Sequence, residues 1–465
     1  MKGNRLDTGP DSDLIDEATF LSIHAPRTDC DRSLVIVDLS WPEDGGPGDD
    51  IQLVTATTNS QQGIKIMRGN IAERLKESFE AQNQSQGSPG TAWAMTRRGA
   101  LVCLCAFLAL GISSTFAGKA ERDSRQRGLS TFTANAYIGA DLAPAVLLDP
   151  TDPNYLAKLV QTVTGIYMGV LASDPPTRMA GLAREIAALQ PEIVGLEEVW
   201  TLEKAPMTET GAPGQFSVVY DYLQLLTNAL AACGAHYQVV VVATESDITM
   251  PMFDVQAEAL AFGRIVDHEV ILARADLPPG HLRVSNPQSG QFANYLQFPT
   301  GLSLLRGWCS VDVFSRGERL RFICTHLEEE TVPQLQVLQA NELLSGPAHV
   351  QMPVILVGDF NADPLHRDGS VAYDEFIQDG FKDSWSVVHP RQPTGGLTWG
   401  HDAELANPRH QFDRRIDLVF YRGHKLKATE IEVVDPGLHR SHAPLWPSDH
   451  AAVTAEFRFG EQWEK

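Results

Sequence analysis

Basic residues are scarce in this chain. In 465 residues, 37 Lys and Arg stand against 59 Asp and Glu, a formal net charge of −22. An acidic surface repels polyanions, which excludes tight, sequence-independent nucleic-acid binding by charge alone. An encounter with a phosphate ester through a bound cation stays open. Cysteines are few too. Cys30, Cys103, Cys105, Cys233, Cys309 and Cys324 form no spaced pair repeated in zinc-site fashion. The apolar run Gly99 to Ile112 falls short of the about 20 residues that a comfortable membrane span needs. What remains is an ordinary globular composition, 43% hydrophobic and 21% charged.

That short apolar run has informative flanks. Met95-Thr96-Arg97-Arg98 precedes it, and Ser113-Ser114-Thr115-Phe116-Ala117 follows, ending in a small-residue cleavage pattern. This is the layout of an export signal. Translation would then start at Met95, with residues 1–94 not part of the protein. Alternatively, residues 1–94 are cytoplasmic and 95–117 anchor the chain in a membrane. An N-terminus at Gly118 in the native protein marks cleavage, and Met1 marks the anchor. Either reading puts the remainder in the periplasm, at the cell surface or outside the cell. Residues 1–94 are acidic, carry no motif and read as poorly ordered, with one strand expected at Leu34–Val37 and one helix at Asn70–Glu80. Residues 118–128 read as a linker and 129–465 as one large domain.

In that domain strand and helix signals alternate. Strands are expected at 129–137, 193–196, 237–243, 270–273, 308–314, 320–325, 353–357, 415–420 and 451–457. Helices are expected at 178–189, 221–232 and 333–344. Residues 276–306, rich in Pro, Gly and Asn, read as a long loop in which 286–290 form an ordered turn. A two-residue turn at Arg316-Gly317 would pair residues whose numbers sum to 633, setting Cys309 opposite Cys324. An exported chain can oxidise such a pair, and two buried thiols packed as small hydrophobes are the alternative.

The chemistry collects where apolar strands end in polar side chains. These are Asn135, Glu197-Glu198, His326, Asp359 with Asn361, Asp417, and Asp449-His450. Singly, each has a plain explanation as a cap, a turn or a solvated end. Asp417 is hardest to explain that way, because an ionised carboxylate inside an apolar strand is costly without a partner. The ordered series Leu196-Glu197-Glu198-Val199, Thr325-His326-Leu327-Glu328, Gly358-Asp359-Phe360-Asn361, Arg415-Ile416-Asp417 and Ser448-Asp449-His450 resembles the endonuclease/exonuclease/phosphatase superfamily. Thr133-Ala134-Asn135-Ala136 resembles its first strand, and the likeness runs from about Leu129 to Phe459.

The resemblance implies an α/β fold: a four-layer, deoxyribonuclease I-like sandwich of two mixed β-sheets flanked by helices. It implies a metal-dependent phosphoesterase acting on a nucleic acid or a phospholipid head group, as a monomer with no stable protein partner. Glu198 would be the main metal carboxylate, with Asn135 beside it and Asp449 a further ligand. Asp359 and Asn361 would orient water and phosphate. His450 would be the general base, oriented by Asp417, and His326 would touch the phosphate or the leaving group. Such hard oxygen ligands suit Mg²⁺, or Mn²⁺ and Ca²⁺. Glu197 stands where the family commonly has Gln, and is expected to point away and pair elsewhere. The partner of His326 is not evident, with Asp267 a weak candidate. A non-catalytic module on the same scaffold would lack some of these residues, and here all are present.

Overall fold

The computed structural model describes residues 52–59, 63–70, 128–367, 369–438 and 445–460. The chain divides into two units, Met1–Thr115 and Phe116–Lys465. In the first, Gln52–Asn59 pairs antiparallel with Gly63–Asn70. Asn70, expected to begin a helix, ends this strand. The expected strand at 34–37, the rest of that helix and the segment 95–117 lie outside the described residues.

The second unit is a sandwich of two mixed sheets. In chain order its first strands are β1 (Leu129–Asn135), β2 (Ile193–Glu197), β3 (Thr201–Pro206), β4 (Ser217–Asp221), β5 (Tyr237–Asp254) and β6 (Ala259–Arg274). They are followed by β7 (Leu282–Gln291), β8 (Gly307–Ser315), β9 (Glu318–His326), β10 (Val354–Asp359), β11 (Lys382–Asp383), β12 (Asp417–Arg422), β13 (Leu426–Val433) and β14 (Val453–Phe459). One sheet has the order β13-β14-β1-β2-β6-β3-β4, with β5 also paired to β6; the other runs β11-β12-β10-β9-β8-β7. At the centre of each sheet lies one parallel pair, β1 with β2 and β9 with β10.

Alternation along the strands builds the layers. Inward residues Ile193, Ile271, Phe322, Ile355, Val357 and Phe457 form one core between the sheets. Outward residues Phe132, Val194 and Leu196 pack with the helices α1 (Tyr155–Ala172), α2 (Pro175–Leu189) and α3 (Tyr222–Ala232). Ile323, Leu356 and Phe420 pack with α4 (Pro333–Ser345) on the far side. The sheets approach closely at Gly195, where an added Cβ would lie 2.8 Å from Val357.

Several expectations change. Residues 276–306 are not one loop: they contain β7, the edge strand paired with β8, and a two-residue ribbon, Leu296–Gln297 with Ser303–Leu304. The turn expected at 286–290 is instead part of β7, where a bulge falls opposite Ser310–Asp312 and Asn286 takes φ 54°. An edge strand with a bulge tolerates Pro287, which cannot donate to a ladder. Strands β5 and β6 extend well beyond the expected segments, and α1, β3, β4 and β13 were not anticipated. The 308–325 hairpin follows the expected register, with φ 51° at Arg316 and 92° at Gly317, and Cys309 faces Cys324 as two free, buried thiols.

Candidate active site

Register assembles the polar residues. Parallel strands put their C-terminal ends at the same edge, so Asn135 lies beside Glu197 in one sheet and His326 beside Asp359 in the other. Antiparallel β12 starts there, which sets Asp417 opposite Asp359. Gly358 must be glycine: its φ is 143°, and a Cβ would lie 1.9 Å from the Thr325 carbonyl oxygen. Glu198 follows β2 with φ 56°, and this left-handed turn separates it from Glu197.

Six of the eight expected site residues (Glu198, His326, Asp359, Asn361, Asp449 and His450) line one cavity, and Asn135 and Asp417 stand behind them, bonded to Asp359 and His450. The His450 Nδ1 lies 2.9 Å from Asp417 Oδ2, and its Nε2 lies 3.7 Å from Asp359 and 3.9 Å from Asp449. A carboxylate only accepts, so Nδ1 carries the proton and Nε2 faces the site. Asp359, Asp417 and His450 are buried and close enough to share one ion. Burial alone would depress the His450 pKa, but Asp417, Asp449 and Asp359 together hold it well above the ordinary imidazole value. Burial raises Asp359 to about 7 against the pull of His450, and Asp449 to about 6.

The Asn135 amide nitrogen donates to Glu198 (3.1 Å) and to Asp359 (3.0 Å), while its oxygen accepts from the Tyr137 N–H. In this arrangement Asn135 aligns the two carboxylates. The Trp200 indole N–H donates to the second Glu198 oxygen at 3.1 Å. The Trp399 indole N–H lies 3.3 Å from Asp449. Three carboxylates (Asp359, Asp417 and Asp449) thus converge on His450, and Asn135 ties a fourth, Glu198, to Asp359. This oxygen-rich donor set with surplus negative charge fits a hard divalent cation, which Glu198 and Asp449 would hold.

His326 finds its partner in Arg306, whose guanidinium lies 2.9 Å from Nδ1. Asp267 lies beside Arg306, at 3.7 Å, and is not paired with His326 among the described residues. Because Arg306 donates to Nδ1, the neutral ring carries its proton on Nε2, which lies 3.1 Å from the Asn361 amide nitrogen and 3.5 Å from the Asp359 carboxylate. Burial, reinforced by Arg306 and His450, keeps this imidazole well below its ordinary pKa, hence neutral. Sequence reasoning missed Arg306, although the hairpin arithmetic contains the signal: Gly307 pairs with His326, and Arg306 is the next residue. It also missed Glu245 and Glu269, two buried carboxyls near His326 whose burial pushes both well above the usual range.

Glu197 does point away from Glu198, into the core between the sheets. It accepts from Thr133 Oγ1 at 2.8 Å and from Cys324 Sγ at 3.0 Å. Burial pushes its pKa up to about 8. The folded chain therefore keeps a proton that the unfolded chain releases near 4.5, and this group's contribution to stability falls as pH rises between those values. Glu197→Gln should match the wild type near pH 4 and become more stable as pH rises, by up to about 3 kcal/mol at pH 7. Urea melts across that range check this, and a difference independent of pH would contradict it.

The profile of the Endonuclease/Exonuclease/phosphatase family matches residues 166–450. A family protein from Leptotrichia buccalis aligns at 15% identity and TM-score 0.44, covering 71% of this chain and 100% of its own. The mannosyl-6-phosphatase Bt3783 of Bacteroides thetaiotaomicron aligns at 16% and 0.41, covering 71% and 100%. Humanized D. rerio TDP2 aligns at 16% and 0.39, covering 71% and 98%. A search of curated proteins finds no match. The family match spans more than half of the chain, which belongs to the endonuclease/exonuclease/phosphatase family and is a hydrolase of phosphoric ester bonds.

Proposed function

We propose that the domain hydrolyses an extracytoplasmic phosphodiester by in-line attack of water, with His450 as general base. The observation that carries this reading is the Asp417–His450–Asp359 cluster, which fixes one imidazole nitrogen and leaves the other facing the cavity. Asp417 sets the tautomer and stabilises the imidazolium formed when Nε2 takes the proton of the attacking water. Asp359 and Asn361 position that water and the phosphate. His326, neutral and buried, offers a polar contact to the phosphate or the leaving oxygen without adding charge. Glu198 and Asp449, with Asn135 aligning Glu198, would hold the cation. Bound there, Mg²⁺ or Mn²⁺ would offset the charge of the phosphoryl oxygens. The location outside the cytoplasm rests on the export-like segment 95–117.

The test is hydrolysis of bis(p-nitrophenyl) phosphate and p-nitrophenyl phosphate in ¹⁸O-water with Mg²⁺. The diester should be cleaved faster, with one ¹⁸O in the phosphate product and none in the phenol. Faster cleavage of the monoester, or label in the phenol, would overturn the reading.

A further inference from the structure

The active-site cavity extends well past the carboxylates. Its volume is about 650 Å³, within the range of sites that enclose a whole small molecule. Glu198, Asp359 and His450 line one end. Much of the rest is hydrocarbon: Val163 and Val170 from α1, with Tyr167 between them, Ile248 and Met250 from β5, and Leu296 and Leu302 from the small ribbon and its loop. Trp200 stands where the two parts join, its indole N–H on Glu198. Val163, Val170, Ile248 and Met250 are each at most 9% exposed, so the apolar wall is part of the folded core.

Among the described residues Arg306 is the single Lys or Arg lining this cavity, and it is committed to His326 and Asp267. No other Lys or Arg among the described residues lines it to neutralise a neighbouring phosphate of a nucleic-acid strand, the interaction that dominates such binding. An aliphatic wall also offers few partners to the hydroxyls of a sugar. A hydrocarbon group is the ligand such a wall accommodates, because burying apolar surface there leaves no polar group unpaired.

We propose that this apolar chamber receives the hydrocarbon group of the ester, so that the substrates are phosphate esters of long-chain apolar alcohols. The proposal rests on the phosphoesterase reading above and names the alcohol side of that ester. The phosphate sits among Glu198, Asp359 and His450, and the chain runs from it past Trp200 along α1.

A homologous series of p-nitrophenyl alkyl phosphates, ethyl to decyl, tests this below micellar concentrations with Mg²⁺. Each added methylene should raise kcat/KM about fourfold until the chamber is full. Calorimetric binding of the matching alkylphosphonates to the His450→Ala protein, also with Mg²⁺, should show the same slope in Kd. Leu302→Glu, a half-buried wall position, should lower kcat/KM for the octyl ester at least tenfold. Flat series in both hydrolysis and binding would overturn the chamber while leaving the phosphoesterase reading intact. A slope in binding without hydrolysis of any member would support the chamber and sink the phosphodiesterase reading. Cleavage of a single-stranded oligonucleotide faster than the octyl ester would also overturn the proposal.

Discussion

Asp417→Asn should lower kcat by about 10²–10⁴-fold, the span that a positioned general base contributes. The substitution keeps size and shape, and Asp417 is buried in β12 with its backbone N–H facing Thr398 Oγ1, so the fold should persist. An asparagine amide can turn its N–H₂ toward His450 Nδ1. That contact favours the tautomer with the proton on Nε2, which can no longer accept one from water. The carboxylate also helps to hold the His450 pKa above its ordinary value against the effect of burial. The free base is the active form, so the rate should climb with pH along an acid limb above the ordinary imidazole value of about 6.5. In the Asn variant the residual activity should show that limb at lower pH. His450→Ala should lose as much activity and show no limb from this group. Rate measurements from pH 5 to 9 on the three proteins decide the matter. An Asn variant with full activity, or with its limb unmoved, would remove His450 from the role of base.

Most of this site was legible because its residues break local rules. A charged Asp417 inside Arg415–Phe420 cannot be explained by the strand alone, and Gly358-Asp359-Phe360-Asn361 ends a strand in a turn with two polar side chains. The structure gives each a spatial reason, because the parallel pairs β1–β2 and β9–β10 end at the same edge. The layers were legible from alternating apolar strands. Helix α1 was not: Gly165, Gly169 and its threonines dilute the helical pattern, and tertiary contact with β5 compensates. Strand β7 was hidden by Asn286, Pro287 and Gly290, residues that a sheet edge admits and a sheet centre does not. Arg306 was hidden for another reason. Its role is visible only after β8 and β9 are paired, since the residues lie twenty positions apart in sequence. The apolar chamber could not be read from sequence at all, because its wall is shared among α1, β5 and the small ribbon.

The second large effect is expected at Glu198, which is tied to Asn135, the Ile138 N–H and Trp200. Those contacts hold its carboxylate in place at the cavity, where it adds one of the negative charges that a divalent cation would balance. Glu198→Gln keeps the shape and removes the charge. The electrostatic help given to the phosphoryl oxygens should fall with it, at a cost of about 10²–10³-fold in kcat, the size found when one such stabilising contact is lost. The Mg²⁺ concentration for half-maximal rate should rise at least tenfold.

The most direct measurement is therefore the initial rate of bis(p-nitrophenyl) phosphate hydrolysis, titrated with Mg²⁺ from an EDTA-stripped start, for the wild type and Glu198→Gln. The account predicts no turnover in EDTA, saturating recovery for the wild type, and a weak, right-shifted recovery for the variant. Full turnover in EDTA, or coincident Mg²⁺ curves for the two proteins, would contradict it.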